Sequence, residues 1–231
     1  MKKAVFVTGT DTGVGKTVVS GLLLRFLCEN GFKSITQKWV QTGSAYPPED
    51  LLTHMSFIED GDMLLREHLD EMAPYVFKFP ASPHLAASLE EKTISSEKIT
   101  DIFKKLRQEF DCVIVEGSGG VLVPINDKEM IGDIAQKLEL PVIIVAENRL
   151  GAINQTLLTV EALQSRQMKI IGIVFNRLSK NEDETILENN KETIKRLSGV
   201  NVLGELKFNA DKNELYRDFF SIGESILDKL C

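Results

Sequence analysis

Residues Gly9-Thr10-Asp11-Thr12-Gly13-Val14-Gly15-Lys16-Thr17 bring together the groups that hold a polyphosphate: glycines, a lysine and a hydroxyl. They lie between an apolar run at 4–7 and an amphipathic stretch, so strand, loop and helix N-terminus follow in the order a phosphate cradle requires. Backbone N–H groups of such a loop converge on phosphate oxygens, and the helix dipole adds partial positive charge. Lys16 then reaches the β- and γ-phosphates and the Thr17 hydroxyl faces Mg²⁺, with Gly13, Val14, Gly15 and Val18 supplying backbone around them. This is a P-loop of unusual spacing. Five residues separate Gly9 from Gly15 where the common pattern has four, and Thr10 stands where the first glycine is expected.

Polar residues that close apolar runs supply the rest of a phosphoryl-transfer site. Glu116 follows Cys112-Val113-Ile114-Val115 and precedes Gly117-Ser118-Gly119-Gly120, where small residues let backbone and ligand approach closely. A carboxylate there can hold Mg²⁺, a role that P-loop proteins usually give to Asp. Lys38 closes the run 34–38 and puts a second ammonium near Lys16. Two lysines on one rim imply a polyanionic transition state, although a strand-end lysine taken alone is often merely solvated. Glu147 and Asn176 hold the equivalent places after the runs 141–146 and 170–175.

These residues need a frame. Short β-branched runs at 4–8, 34–38, 112–115, 141–146, 170–175 and 201–206 alternate with helical patterns at 18–30, 96–110, 154–166, 184–197 and 215–230. Val113-Ile114-Val115 and Val142-Ile143-Ile144-Val145 are apolar at successive positions, which predicts strands buried on both faces of a parallel sheet. The expected fold is α/β, a P-loop NTPase-type, mostly parallel sheet with helices on both faces. Ligands gather at the carboxyl ends of such strands. The stripe Leu215, Phe219, Ile222, Ile226 and Leu230 has helical spacing, and Asp218, Glu224 and Asp228 on the other faces would be repelled by anionic lipid. It is read as core packing rather than membrane targeting.

The chain has 231 residues, 43% of them hydrophobic, enough for one substantial core, and a single domain over 1–231 is expected. No Pro-, Ser- or Gly-rich linker and no internal repeat divides it. Met1-Lys2-Lys3 runs straight into the first apolar run, and no apolar run approaches ~20 residues, so a soluble, cytosolic protein without a membrane partner is expected. Cys28, Cys112 and Cys231 form no Cys-x-x-Cys pair, which points away from a disulfide framework or a zinc site. Cys28 and Cys112 are expected to face the core. A net charge of −7 argues against a general nucleic-acid binder, leaving room for a small anionic ligand in a local basic pocket.

Taken together, the segments resemble the dethiobiotin synthetase family. Residues 9–17 are similar to its extended P-loop, Lys38-Trp39-Val40-Gln41-Thr42-Gly43 to its lysine segment, and Pro80-Ala81-Ser82-Pro83-His84 to its Ser-Pro-His loop. Residues 116–120 resemble its Glu-Gly-Ala-Gly-Gly loop, and Leu150-Gly151-Ala152-Ile153-Asn154 its Leu-Gly-x-Ile-Asn segment. The resemblance implies ring closure of 7,8-diaminononanoate with CO₂ and Mg·ATP to dethiobiotin, in a homodimer with substrate at the interface. It implies that Lys38 and Lys16 are catalytic, and that Thr17, Glu116 and an aspartate hold Mg²⁺. Gly117, Ser118 and Gly119 would flank the nucleotide and Asn176 and Arg177 its base, while Thr42, Ser82, Leu150, Gly151 and Asn154 would meet the diamine.

Four features depart from the family pattern. Gly13 stands where Glu is common, Trp39 where Pro is usual, and Lys207 where a Pro often frames adenine. The polar excursion after Thr42 is long, so the metal-site aspartate is aligned at Asp62, with Asp60 the alternate. His54 and His68 fall in that excursion and are expected at the surface. His84 belongs to a loop that shapes the substrate pocket, with no base–nucleophile spacing around it.

Two other classes use related scaffolds. A partner-regulated switch ATPase of the septum-site or plasmid-partitioning kind shares the Gly-x-Gly-Lys-Thr half of the loop, but its signature lysine would fall at Asp11. An amidase-coupled synthase would need a glutaminase cysteine, and the three cysteines here lack that setting.

Overall fold

The computed structural model describes residues 2–230; Met1 and Cys231, one of the cysteines considered above, lie outside the described residues. In chain order the elements begin with β1 (Lys3–Gly9), α1 (Lys16–Glu29), β2 (Ser34–Lys38), β3 (Val40–Thr42), α2 (Glu49–Met55) and α3 (Gly61–Met72). Then come β4 (Tyr75–Phe77), α4 (Pro83–Leu89), α5 (Ser96–Glu109), β5 (Cys112–Gly120), α6 (Ile131–Lys137) and β6 (Val142–Glu147). The chain closes with α7 (Ala152–Gln164), β7 (Ile170–Asn176), α8 (Glu184–Ser198), β8 (Val202–Leu206) and α9 (Lys212–Leu230).

Six strands form one parallel sheet in the order β2-β5-β1-β6-β7-β8, and β3 pairs with β4 in a small parallel sheet of its own. Strand order reverses about β1, the place where an open α/β sheet leaves a crevice for ligand. Val5, Phe6 and Val7 are all fully buried, as are Val142 to Ala146 in succession, so both faces of the sheet are covered. Helix α1 packs on β2, β5 and α9, and α9 on β7 and β8, while α7 packs on β6 and α8. The α9 stripe Leu215, Phe219, Ile222 and Ile226 belongs to the core, with Leu230 packed against it, as its spacing predicts. Cys112 is buried and Cys28 half-buried against the core. Among the described residues no helix is long and apolar enough to cross a membrane.

Register brings the polar strand ends abreast. Lys38 lies beside Glu116 across β2 and β5, Glu116 beside Val7 of β1, and Glu147 beside Asn176 across β6 and β7. The long polar excursion after Thr42, whose pattern predicts no element, folds into α2 and α3. Helix α2 packs on α1 so closely that a Cβ added at Gly21 of α1 would come within 3.3 Å of the His54 Cα. That contact carries α2 to the carboxyl end of β2.

Candidate active site

Gly15 opens α1 at φ 102°, in left-handed backbone that favours glycine, and no side chain caps the helix. The first-turn N–H groups, which lack helical partners, are left for a ligand. A Cβ at Gly15 would come within 2.1 Å of Asn176 Nδ2, which donates to the Val14 carbonyl at 3.1 Å. Asn176 therefore clamps the loop from the end of β7. Gly13 has φ 79° with no atom within 4 Å of a Cβ, so backbone conformation rather than space favours glycine there.

The loop floors a cavity of about 670 Å³. Gly13, Gly15, Lys16, Thr17, Lys38, Thr42, Ser82, Glu116, Ser118 and Gly119, all expected here from the sequence, line it together with Asp50 and Gln41. Lys38 Nζ lies 2.7 Å from Glu116 Oε1 and 2.8 Å from Asp50 Oδ2, and donates to the Gly117 carbonyl at 3.2 Å. The Thr17 hydroxyl donates to Glu116 Oε1 at 3.1 Å, and Lys16 Nζ to the Asp11 carbonyl at 2.9 Å. The Ser118 hydroxyl donates to the Val40 carbonyl and ties the last residues of β5 to β3.

Burial pushes Lys16 down to about 8, and the Lys38 ammonium pushes the same way against the pull of Glu116, Asp50 and Asp11. Lys38 is also lowered by burial, but Glu116 and Asp50 outweigh it and the net displacement is upward. Glu116 is opposed by burial, yet Lys38 and a hydrogen bond from His54 hold it well below the usual carboxylate range. Lys38 thus stays an ammonium and Glu116 a carboxylate under a loop of N–H donors, a place where a phosphate chain would lift the penalty on Lys16.

Glu116 Oε1 and Asp50 Oδ2 flank the Lys38 ammonium, with Thr17 Oγ1 on Glu116 Oε1, so the pocket already accepts a cation among hard oxygens. Among the described residues no group of three His, Cys, Asp or Glu side chains is placed to hold a metal ion by itself. Mg²⁺ commonly rests on one or two carboxylates plus substrate phosphates, and these residues fit that arrangement.

Several expectations need correction. Asp62 is exposed in the first turn of α3, outside this cavity, and Asp60 borders a different one beside Ser34, at the opposite end of β2. Asp50 stands where the metal-site aspartate was sought: α2 brings its first turn to Lys38 at the end of β2, whereas α3, which also packs on β2, starts beside Ser34 at the other end. His54, expected at the surface, is fully buried, with Nε2 2.7 Å from Glu116 Oε2. His68 is half-buried between Glu71 and Glu109. The Arg177 guanidinium faces Glu184 and Glu205 instead of the cavity. Val18 is half-buried behind the loop.

Leu150 is 73% exposed, Gly151 and Asn154 are exposed too, and none of the three lines the cavity of its own chain. Gln41 was missed as a lining residue: it is 8% exposed, and its Oε1 has no hydrogen-bond partner among the described residues. Its place between Lys38 and Thr42 was the available signal. Trp39, in the usual place of a proline, is buried and stacks on Phe6 at 5.5 Å.

An AAA-domain family model matches residues 3–214. The ATP-dependent dethiobiotin synthetase BioD 2 of Pasteurella multocida is 38% identical over 196 residues, covering 85% of this chain and 91% of the relative. That of Chlorobaculum tepidum is 41% identical over 189 residues, 81% of this chain and 78% of the relative. Among solved structures, the cell division ATPase MinD of Pyrococcus furiosus superposes with a TM-score of 0.63 over 100% of both chains at 18% identity, a likeness of P-loop NTPase fold alone. With curated relatives this similar over most of its length, and with its loop, lysine and carboxylate in one cavity, the chain is an enzyme that belongs to the ATP-dependent dethiobiotin synthetase family.

Proposed function

We propose that the enzyme closes the ureido ring of dethiobiotin from 7,8-diaminononanoate, CO₂ and Mg·ATP, releasing ADP and phosphate. The observation that carries this reading is the meeting of Lys38 with Glu116, Thr17 and Lys16 in one cavity that extends to Thr42 and Ser82. One end suits a triphosphate and the other a diamine. An amine of the substrate adds to CO₂ and loses a proton, giving a carbamate whose negative charge Lys38 and Lys16 stabilise. A carbamate oxygen then attacks the γ-phosphorus in line, and ADP leaves. The second amine attacks the carbonyl carbon of the resulting carbamic-phosphoric anhydride, and phosphate departs with the bridging oxygen as the nitrogen loses its proton.

Phosphoryl transfer asks chiefly for positioning and electrostatic stabilisation, which accounts for a site without a nucleophilic Ser or Cys. Bound to Thr17, Glu116 and Asp50, Mg²⁺ would neutralise charge on the γ-phosphate. Thr42 and Ser82 orient the diamine, and the unpaired Gln41 Oε1 accepts a hydrogen bond from one of its N–H groups. Asn176 reaches the nucleotide through the loop it clamps. Leu150, Gly151 and Asn154, unused by their own cavity, would meet substrate in a second copy of the chain across a two-fold axis. The test is mass analysis of products from the diamine, ¹³C-bicarbonate and Mg·ATP. One ¹³C in a cyclised product, formed one for one with ADP, supports the reading; ADP formed without labelled product refutes it.

A further inference from the structure

His54 has no part in the reaction as written, yet both its ring nitrogens are engaged in a place with no solvent exposure. Nε2 lies 2.7 Å from Glu116 Oε2 and Nδ1 3.0 Å from Thr36 Oγ1. A carboxylate oxygen only accepts, so Nε2 carries the hydrogen that points at Glu116. The Thr36 hydroxyl holds the ring from its other side. The two oxygens of Glu116 are thereby divided: Oε2 turns inward to the imidazole, and Oε1 outward to Lys38 at 2.7 Å and Thr17 at 3.1 Å. Without the imidazole, Oε2 would be a buried acceptor with no partner, a costly state that rotation of the carboxylate or entry of water would relieve. Either change would move Oε1.

We propose that His54 is a positioning residue for the magnesium–phosphate end of the site, holding the plane of Glu116 so that Oε1 alone is presented to the cation. This rests on the Mg·nucleotide part of the proposed function. Ring nitrogens that orient a carboxylate ligand from behind generally matter about 10- to 100-fold in metal affinity.

The test is calorimetric titration of ADP into wild type, His54→Leu, His54→Asn and His54→Gln, each with Mg²⁺ and with a chelator. The Gln amide N–H reaches about where Nε2 stands, and the Asn amide falls short. His54→Leu and His54→Asn should lose about tenfold or more of the Mg²⁺-dependent gain in ADP affinity, His54→Gln less than about threefold. ADP affinity in chelator should stay level. With three histidines in the chain, the imidazole ¹⁵N signals missing from His54→Gln identify His54. Its Nε2 signal should shift when Mg²⁺ joins the ADP complex, and hold still when ADP binds in chelator. Should His54→Leu fail to fold, His54→Gln, His54→Asn and this spectrum still decide. Equal losses with and without Mg²⁺, unchanged gains in both His54→Leu and His54→Asn, or an Nε2 signal indifferent to Mg²⁺ would overturn the inference. If wild type itself binds ADP no better with Mg²⁺, the magnesium reading falls and this one with it.

Discussion

One ammonium group, Lys38 Nζ, balances two carboxylates in a place water barely reaches: the Lys38 side chain is 6% exposed and that of Glu116 1%. A buried charge that loses its partner costs about 3–5 kcal/mol, so Lys38→Ala should lower the unfolding free energy as well as the rate. Turnover should fall ~10²-fold or more, the loss expected when one preorganised donor to the transition state is removed. ADP should still bind, since the loop N–H groups and Lys16 remain. A folded variant with near-wild-type turnover would return Lys38 to a purely structural place. The acids separate in the same way. Asp50→Asn and Glu116→Gln should raise the Mg²⁺ concentration for half-maximal rate, hard cations preferring anionic oxygen, whereas Asp62→Asn on exposed α3 should leave it within about twofold of wild type. Steady-state rates across a Mg²⁺ series check this, and the reverse order of Asp50 and Asp62 would show that α3, not α2, serves the metal.

At the scale of elements, what could be read from the chain was what is long and periodic. The runs that became β1, β5, β6 and β7 are apolar at successive positions, those of β2 and β8 are short and mixed with polar residues, and the helical stripes each fill several turns. Of the elements that were missed, α3 has twelve residues in a strongly charged stretch, and the others are short: β3 and β4 have three residues each, and α2, α4 and α6 seven. A seven-residue helix shows barely two turns, too few for periodicity to stand out. Those short pieces carry Asp50, His54 and the inner wall of the cavity, which is why the loop lysine was legible and the acid beside it was not. His54 could not be read as buried because the partner that justifies it, Glu116, is 62 residues away. Loop 121–130 offers a test of a different element. Glu129 is held down to about 2 by hydrogen bonds from Lys137 and Ser96, against an opposing effect of burial, and is also bonded by Asn126. For an acid whose folded value lies below its unfolded one, the stabilisation is complete above about pH 4.5 and is lost as pH falls through about 2. Glu129→Gln should therefore lower the thermal midpoint at pH 7, and the gap to wild type should close between about pH 4.5 and pH 2. A gap of constant size across that range would mean that the Glu129 charge contributes nothing.

For the whole molecule, the exposure of Leu150 and Asn154, neither of which lines the cavity, makes the proposed two-fold dimer the largest step. If each site joins Lys38 of one copy to Asn154 of the other, Lys38→Ala and Asn154→Asp homodimers should both be inactive, the second because its carboxylate repels an anionic end of the substrate. In a mixed dimer one site carries both lesions and the other neither, so random reassortment should restore about a quarter of wild-type activity. Verified subunit exchange with no return of activity would place Asn154 with its own chain's site or exclude this dimer. The fold itself is shared with cell division ATPases such as that of Pyrococcus furiosus, and fold does not decide chemistry. What separates a synthetase from a switch ATPase is whether hydrolysis waits for a small substrate. ADP release from Mg·ATP in bicarbonate buffer should be near background without 7,8-diaminononanoate, and should rise steeply and saturably when the diamine is added. A rate of ADP release that is the same with and without the diamine would contradict the proposed function.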